Sequence, residues 1–114
     1  MTTSELDLLQ GTLDVLVLRA LSWQPMHGYA VARFIREGSG RAFQILDGAL
    51  YTALHRMEEK GWVESEWGTS DKGKRAKFYV MTAAGRRALK NETGAWDRYV
   101  NAVAGVMTST PEPA

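Results

Sequence analysis

With 114 residues the chain has room for one hydrophobic core and not for two. Its 45% hydrophobic and 24% charged residues describe a globular domain, and the absence of cysteine excludes disulfides and thiolate metal sites. A formal charge of +1 is nearly neutral, so affinity for nucleic acid would have to come from basic residues gathered in one place.

Leu6, Leu9, Leu13, Leu16, Val17, Ala20 and Leu21 mark one stripe of a first helix, and Leu8, Val15 and Leu18 add a second apolar flank. A helix apolar over most of its circumference needs cover on two sides. In a chain this small a second subunit is the favoured cover, which makes Leu8 and Val15 candidates for a dimer interface. No basic stretch precedes an apolar core at the N-terminus, and Asp7 and Asp14 interrupt the run. Neither a signal peptide nor a membrane span is expected, and the expected location is the cytoplasm.

Pro25, in the connection from Trp23 to Gly28, stops the first helix. A second helix is predicted from about Gly28 to Glu37, ended by Gly38-Ser39-Gly40. Arg41 to Leu46 reads as irregular or briefly extended, with Asp47 as N-cap of a third helix. In that helix Leu50, Ala53, Leu54 and Met57 recur at helical spacing and point inward, while Thr52, His55, Arg56 and Glu59 form the opposite face with Tyr51 on its shoulder. Gly61 sits where a left-handed cap is wanted. Hydroxyl, imidazole and guanidinium groups on one short helix suggest a DNA-reading element; an ordinary solvated face is the alternative.

Val63, Ser65 and Trp67 alternate with Glu64 and Glu66 as a half-buried strand, Gly68 to Gly73 is turn-rich, and Ala76 to Met81 forms the return strand with Phe78 and Val80 on one face. Trp62 and Trp67 are expected in the core of this hairpin. Lys72, Lys74, Arg75 and Lys77 place four of the fourteen basic residues within six positions at its tip and return strand. Beside a recognition helix, such a tip reads as a wing gripping phosphate. Thr82 caps a long final helix from about Ala83 to Met107, in which Leu89, Trp96 and Val103 are seven apart. Tyr99, Val100, Val106 and Met107 fill the seam between them. Little of the domain remains for this helix to pack against, so Leu89, Trp96, Val100, Val103 and Met107 are expected to meet a partner subunit. The expected organisation is a DNA-binding domain over 1–82, a dimerisation helix over 83–107 and a disordered tail over 108–114.

No catalytic constellation emerges. His27 and His55 are the only histidines, and neither has a carboxylate or second histidine at metal-ligand spacing. Glu58 and Glu59 are adjacent, so they point to different faces of a helix. Gly38-Ser39-Gly40 lacks the strand and downstream helix of a phosphate-binding loop. No metal, cofactor or enzymatic activity is expected.

Three helices, a basic-tipped hairpin and a long helix follow the order of a winged helix-turn-helix protein, mainly α with a small β-hairpin. The chain resembles the PadR family of bacterial transcriptional regulators. The resemblance rests on Leu8-Leu9-Gln10-Gly11-Thr12-Leu13-Asp14, His27-Gly28-Tyr29, Gly48-Ala49-Leu50-Tyr51 and Leu54-His55-Arg56-Met57-Glu58. It continues through Gly61-Trp62-Val63-Glu64-Ser65, Arg75-Ala76-Lys77-Phe78-Tyr79 and Thr82-Ala83-Ala84-Gly85-Arg86. Gln10, Ala49 and Thr52 depart from the residues common in the family, on the side that would face DNA.

The resemblance implies a homodimer on a palindromic operator, usually a repressor, often relieved by small aromatic or amphipathic compounds. Thr52, His55 and Arg56 would approach the major groove of double-stranded DNA, and Tyr29, Tyr51, Lys72, Lys74, Arg75 and Lys77 would hold phosphates. In some short members a flat ligand sits between paired tryptophans at the dimer centre. Trp96, with Tyr99 beside it, stands on the corresponding helix; a plain dimer-core tryptophan is the other reading. A winged-helix protein-interaction module that binds no DNA is the main rival, supported by Glu58, Glu59, Glu64 and Glu66 near the supposed DNA face. A regulator without an effector is the second.

Overall fold

The computed structural model describes residues 11–113. Leu6, Leu8, Leu9 and Gln10, and with them the start of the first apolar stripe, lie outside the described residues. Helix α1 (Thr12–Leu21) is the hub: Val17, Leu18, Ala20 and Leu21 are buried, and the three later helices and the last strand pack against it. A two-residue strand β1 (Met26–His27) leads into α2 (Gly28–Gly38), whose Val31 and Ile35 enter the core. Helix α3 (Asp47–Glu59) buries the inward stripe expected of it, Leu50, Ala53, Leu54 and Met57. Each such large apolar side chain contributes about 1.5–3 kcal/mol by leaving water.

Gly61 adopts the left-handed conformation (φ 76°), letting the Trp62 N–H return to the Met57 carbonyl at 2.9 Å and closing α3 before β2 (Val63–Thr69) begins. Strand β3 (Arg75–Met81) then pairs antiparallel with β2 from Val63↔Met81 to Thr69↔Arg75. Its other edge takes β1, with Met26 opposite Tyr79, so the sheet order is β1-β3-β2. The expected hairpin is therefore a three-stranded sheet. The extra strand is too short to show an alternating pattern and exists because β3 offers it an edge.

Three details differ from the sequence reading. Leu46, in extended conformation, takes the N-cap position of α3, and Asp47 is the first helical residue with no side-chain capping bond. Its carboxylate still lies at the positive end of the helix dipole. Tyr79 and Met81 form the buried face of β3, while Phe78 and Val80 are only half-buried. Trp62 packs against the core as expected, but Trp67 is 60% exposed. On the hairpin only Val63, Tyr79 and Met81 are buried, and farther toward the turn the alternating pattern is left uncovered.

Helix α4 (Ala83–Thr108) is rooted at the end of α3. The Thr82 hydroxyl donates to the Gly61 carbonyl at 2.6 Å and accepts the Gly85 N–H at 3.1 Å; the Thr82 N–H donates to the Trp62 carbonyl at 3.0 Å. Gly85 and Ala88 are buried and Leu89 packs partly on the domain's own core. From Lys90 onward the helix leaves the domain and carries Trp96, Tyr99, Val100, Val103, Val106 and Met107 exposed. The radius of gyration of 16.8 Å and the longest extent of 66 Å record that projection; a compact domain of this size has a radius of gyration of about 13 Å. Among the described residues no helix is long and apolar enough to cross a membrane.

Candidate nucleic-acid interface

The start of α2 is fixed by His27. Its Nδ1 accepts the Ala30 N–H at 3.2 Å as an N-cap, and its ring meets Phe78 edge-on at 5.3 Å. One residue thus ends β1, caps α2 and anchors both to the sheet. Gly28 follows, buried beneath the Tyr51 ring of α3: a Cβ here would lie 2.7 Å from Tyr51 Cζ and would also strike the hydroxyl. The absence of a side chain at Gly28 is what lets Tyr51 lie across the start of α2, and the exposed Tyr29 lines the same groove.

These tyrosines form one wall of a groove of about 1240 Å³ between α2 and the wing. The other wall is the β2–β3 turn, ordered by its own backbone: Ser70 N–H donates to the Lys74 carbonyl at 2.8 Å, Gly73 N–H to the Ser70 carbonyl at 2.9 Å, and Lys74 N–H to Ser70 Oγ at 3.3 Å. Lys72, Lys74, Arg75 and Lys77 all border the groove, so it gathers Tyr29, Tyr51 and the four wing cations in one place. Arg33 of α2 adds a fifth cation that the sequence reading passed over. Trp67 also belongs here, with the Arg75 guanidinium 4.3 Å over its ring, and Lys77 lies 5.8 Å over Tyr79. Of the acids at the groove, Glu37 is already met by Arg36 (3.8 Å) and Arg41 (3.7 Å), leaving Asp71 at the wing tip. A near-neutral chain therefore places five of its fourteen Lys and Arg residues on one concave surface. Tyr79, at the groove floor, has its phenol pushed above the ordinary tyrosine range by burial, with Glu58 and Tyr51 adding to the effect.

Thr52, His55 and Arg56 lie outside the groove, exposed on α3. His55 Nε2 is 3.9 Å from the Glu59 carboxylate four residues on, so His55 does have an acidic neighbour, as a loose exposed pair. Among the described residues no three potential ligands gather to hold a metal ion. Arg56 is not free: its guanidinium bonds the Asp14 carboxylate of α1. Glu58 accepts a bond from Ser65 Oγ at 2.6 Å and turns into the α3–β2 junction, whereas Glu59, Glu64 and Glu66 remain exposed. Leu46, Asp47, Gly48 and Ala49 at the start of α3 are also exposed, where a recognition helix presents residues to base edges. The candidate readers expected from the sequence, Thr52, His55 and Arg56, lie in the middle of the helix; the exposure of Leu46 to Ala49 depends on tertiary packing that no local pattern displays. On α4, the Trp96 and Tyr99 rings stack at 6.1 Å, while Val15 of α1 is half-buried.

A three-helix unit with a small antiparallel wing and a long C-terminal helix defines a winged-helix protein. The sequence profile of the Transcriptional regulator PadR-like family matches residues 17–91, and the chain belongs to that family. The transcriptional regulator Rv3488 of Mycobacterium tuberculosis is 33% identical over 85 residues, which cover 75% of this chain and 76% of that protein. A PadR family transcription regulator from Clostridium difficile R20291 is 30% identical with a TM-score of 0.71, covering 87% of this chain and all of that one. A PadR family regulator from Eggerthella lenta gives 29% identity and a TM-score of 0.74, with 89% of this chain and 86% of the other covered.

Proposed function

We propose that this transcriptional regulator is a sequence-specific DNA-binding repressor, acting in the cytoplasm as a homodimer on a palindromic operator, and not an enzyme. One observation carries the reading: six residues from α2, α3 and the wing, four of them cationic, border a single groove beside the exposed face of α3. Tyr29, Tyr51, Lys72, Lys74, Arg75 and Lys77 hold phosphates along the groove, with Arg33 as a further cation. Thr52, His55 and the residues opening α3 face the bases. The exposed apolar side of α4, from Trp96 to Met107, is the surface for a second copy, extended by Val15 and Leu89 at its base. The stacked Trp96 and Tyr99 rings provide a face for a small planar aromatic effector.

The test begins with a duplex selected from a random pool by the wild-type protein, compared with a scrambled duplex across salt concentrations. Lys74→Gln and Arg75→Gln should weaken both duplexes alike and flatten the salt slope by about one unit per lost phosphate contact. A wild-type protein that binds neither duplex in a salt-dependent way returns the wing and groove to the protein-interaction reading.

A further inference from the structure

Asp14 and Arg56 stand 42 positions apart and meet side chain to side chain, an Arg56 Nη2–H donating to Asp14 Oδ1. Among the described residues it is the one ion pair that joins two helices. The Asp14 side chain is 15% exposed and that of Arg56 44%, so the contact is neither a loose surface pair nor a buried one. Asp14 belongs to α1, the helix against which α2, α3, α4 and β3 all pack. We propose that Arg56 is a positioning residue: held by Asp14, its guanidinium pins α3 to α1 and sets where Thr52 and His55 point, instead of reading a base itself. The proposal rests on the reading that α3 faces DNA.

The inward stripe of α3 gives attraction without direction, since apolar burial scales with area and tolerates small rotations about the helix axis. A charge-assisted hydrogen bond is directional. Arg56 lies one turn beyond Thr52, and His55 three residues beyond it, so a pin at Arg56 acts on the same helical face that carries the candidate readers. The guanidinium also sits in the last turn of α3, where positive charge suits the helix dipole.

Asp14 supplies the decisive sign. It is an anion beside the face of α3 proposed to meet DNA, a polyanion. If it acted through charge alone, Asp14→Asn would strengthen duplex binding; if Arg56 were a base reader competed for by Asp14, the same change would release it and also strengthen binding. A pin predicts the opposite.

The experiment measures affinity of the full chain for the selected and scrambled duplexes in Asp14→Asn, Arg56→Gln and the double variant. Hydrogen exchange of the α3 amides is followed in the absence of DNA. Asp14→Asn should lower the selected-to-scrambled affinity ratio about three- to thirtyfold while sparing the scrambled duplex. Arg56→Gln should lower the ratio equally, and the double variant should lose no more than either single change. Exchange over residues 47–59 should rise in Asp14→Asn with the urea midpoint of the whole domain held within experimental error. A ratio unchanged or raised by Asp14→Asn overturns the proposal. Should the asparagine variant fail to fold, Asp14→Glu, which keeps the charge and displaces the carboxylate, replaces it with the same expected fall in ratio and the same opposing outcome. A wild type that binds no duplex sinks the DNA reading; the exchange measurement then decides the pin by itself, and unchanged α3 exchange overturns it.

Discussion

Gly28 and Gly85 are both buried against a neighbour that leaves no room for a methyl group, but the neighbours differ. At Gly28 the obstacle is the Tyr51 ring, a half-exposed side chain that can swing outward. At Gly85 it is the Trp62 backbone carbonyl together with Met81 Cγ at 2.7 Å, and that carbonyl also holds the Thr82 N–H. Gly28→Ala should therefore destabilise by about 1–3 kcal/mol and be largely relieved in a Tyr51→Ala background. Gly85→Ala should cost as much or more, with no single side-chain change to relieve it. Urea unfolding of the four variants checks both statements. Tyr79 yields a pH prediction: burial holds its folded pKa above the unfolded value of about 10. The folded state keeps its full advantage below about pH 10 and loses it as pH rises through the folded value, because the unfolded chain gives up the phenol proton first. Tyr79→Phe should remove that part of the alkaline loss, seen by comparing unfolding midpoints at about pH 8 and about pH 11.

At the scale of elements, helices were more legible than strands. The inward stripe of α3 and the cap at Gly61 follow from spacing and backbone chemistry that act locally, so the sequence displays them. β1 is absent from any local pattern, since two residues carry no periodicity and their conformation is dictated by the edge of β3. Trp67 was misplaced for a related reason: alternation says which face a residue takes, not whether anything covers that face. The six groove residues were each identifiable by type, but their convergence depends on the path of α2 across the sheet. The Arg56–Asp14 pair was invisible, because nothing in either segment encodes a partner 42 residues away. The start of α2 offers a test of such a local device. His27→Ala removes the side chain that accepts the Ala30 N–H, and should cost about 1 kcal/mol. His27→Asn, which keeps an acceptor, should recover most of it, whereas a stability fixed by ring packing on Phe78 would show the two variants equally weakened.

For the molecule as a whole, the governing fact is that α4 projects away from the domain with its apolar side bare. Trp96, Tyr99, Val100, Val103, Val106 and Met107 are exposed together on one helix, more apolar surface than a lone domain ordinarily shows to water. The proposed dimer, joined along α4, would cover it. Val103→Glu should then give monomer or aggregate in sedimentation velocity while leaving the circular dichroism of the winged-helix domain intact. A wild type that sediments as a folded monomer at micromolar concentration would remove the dimer from the proposal.

The root of α4 has a mechanical consequence. Its first turn is bonded to Gly61 and Trp62, the residues that close α3, so the two helices share one stiff corner. Twenty-six helical residues make an arm of about 39 Å. A tilt of about 5° at the corner moves the free end by roughly 3 Å over that length. In the proposed dimer, joined near the far ends, the relation would run backwards as gear reduction: a shift of several ångströms where the arms cross would become a few degrees at each α3. Coarse events at the crossing of that dimer would thereby be converted into fine adjustment of half-site spacing.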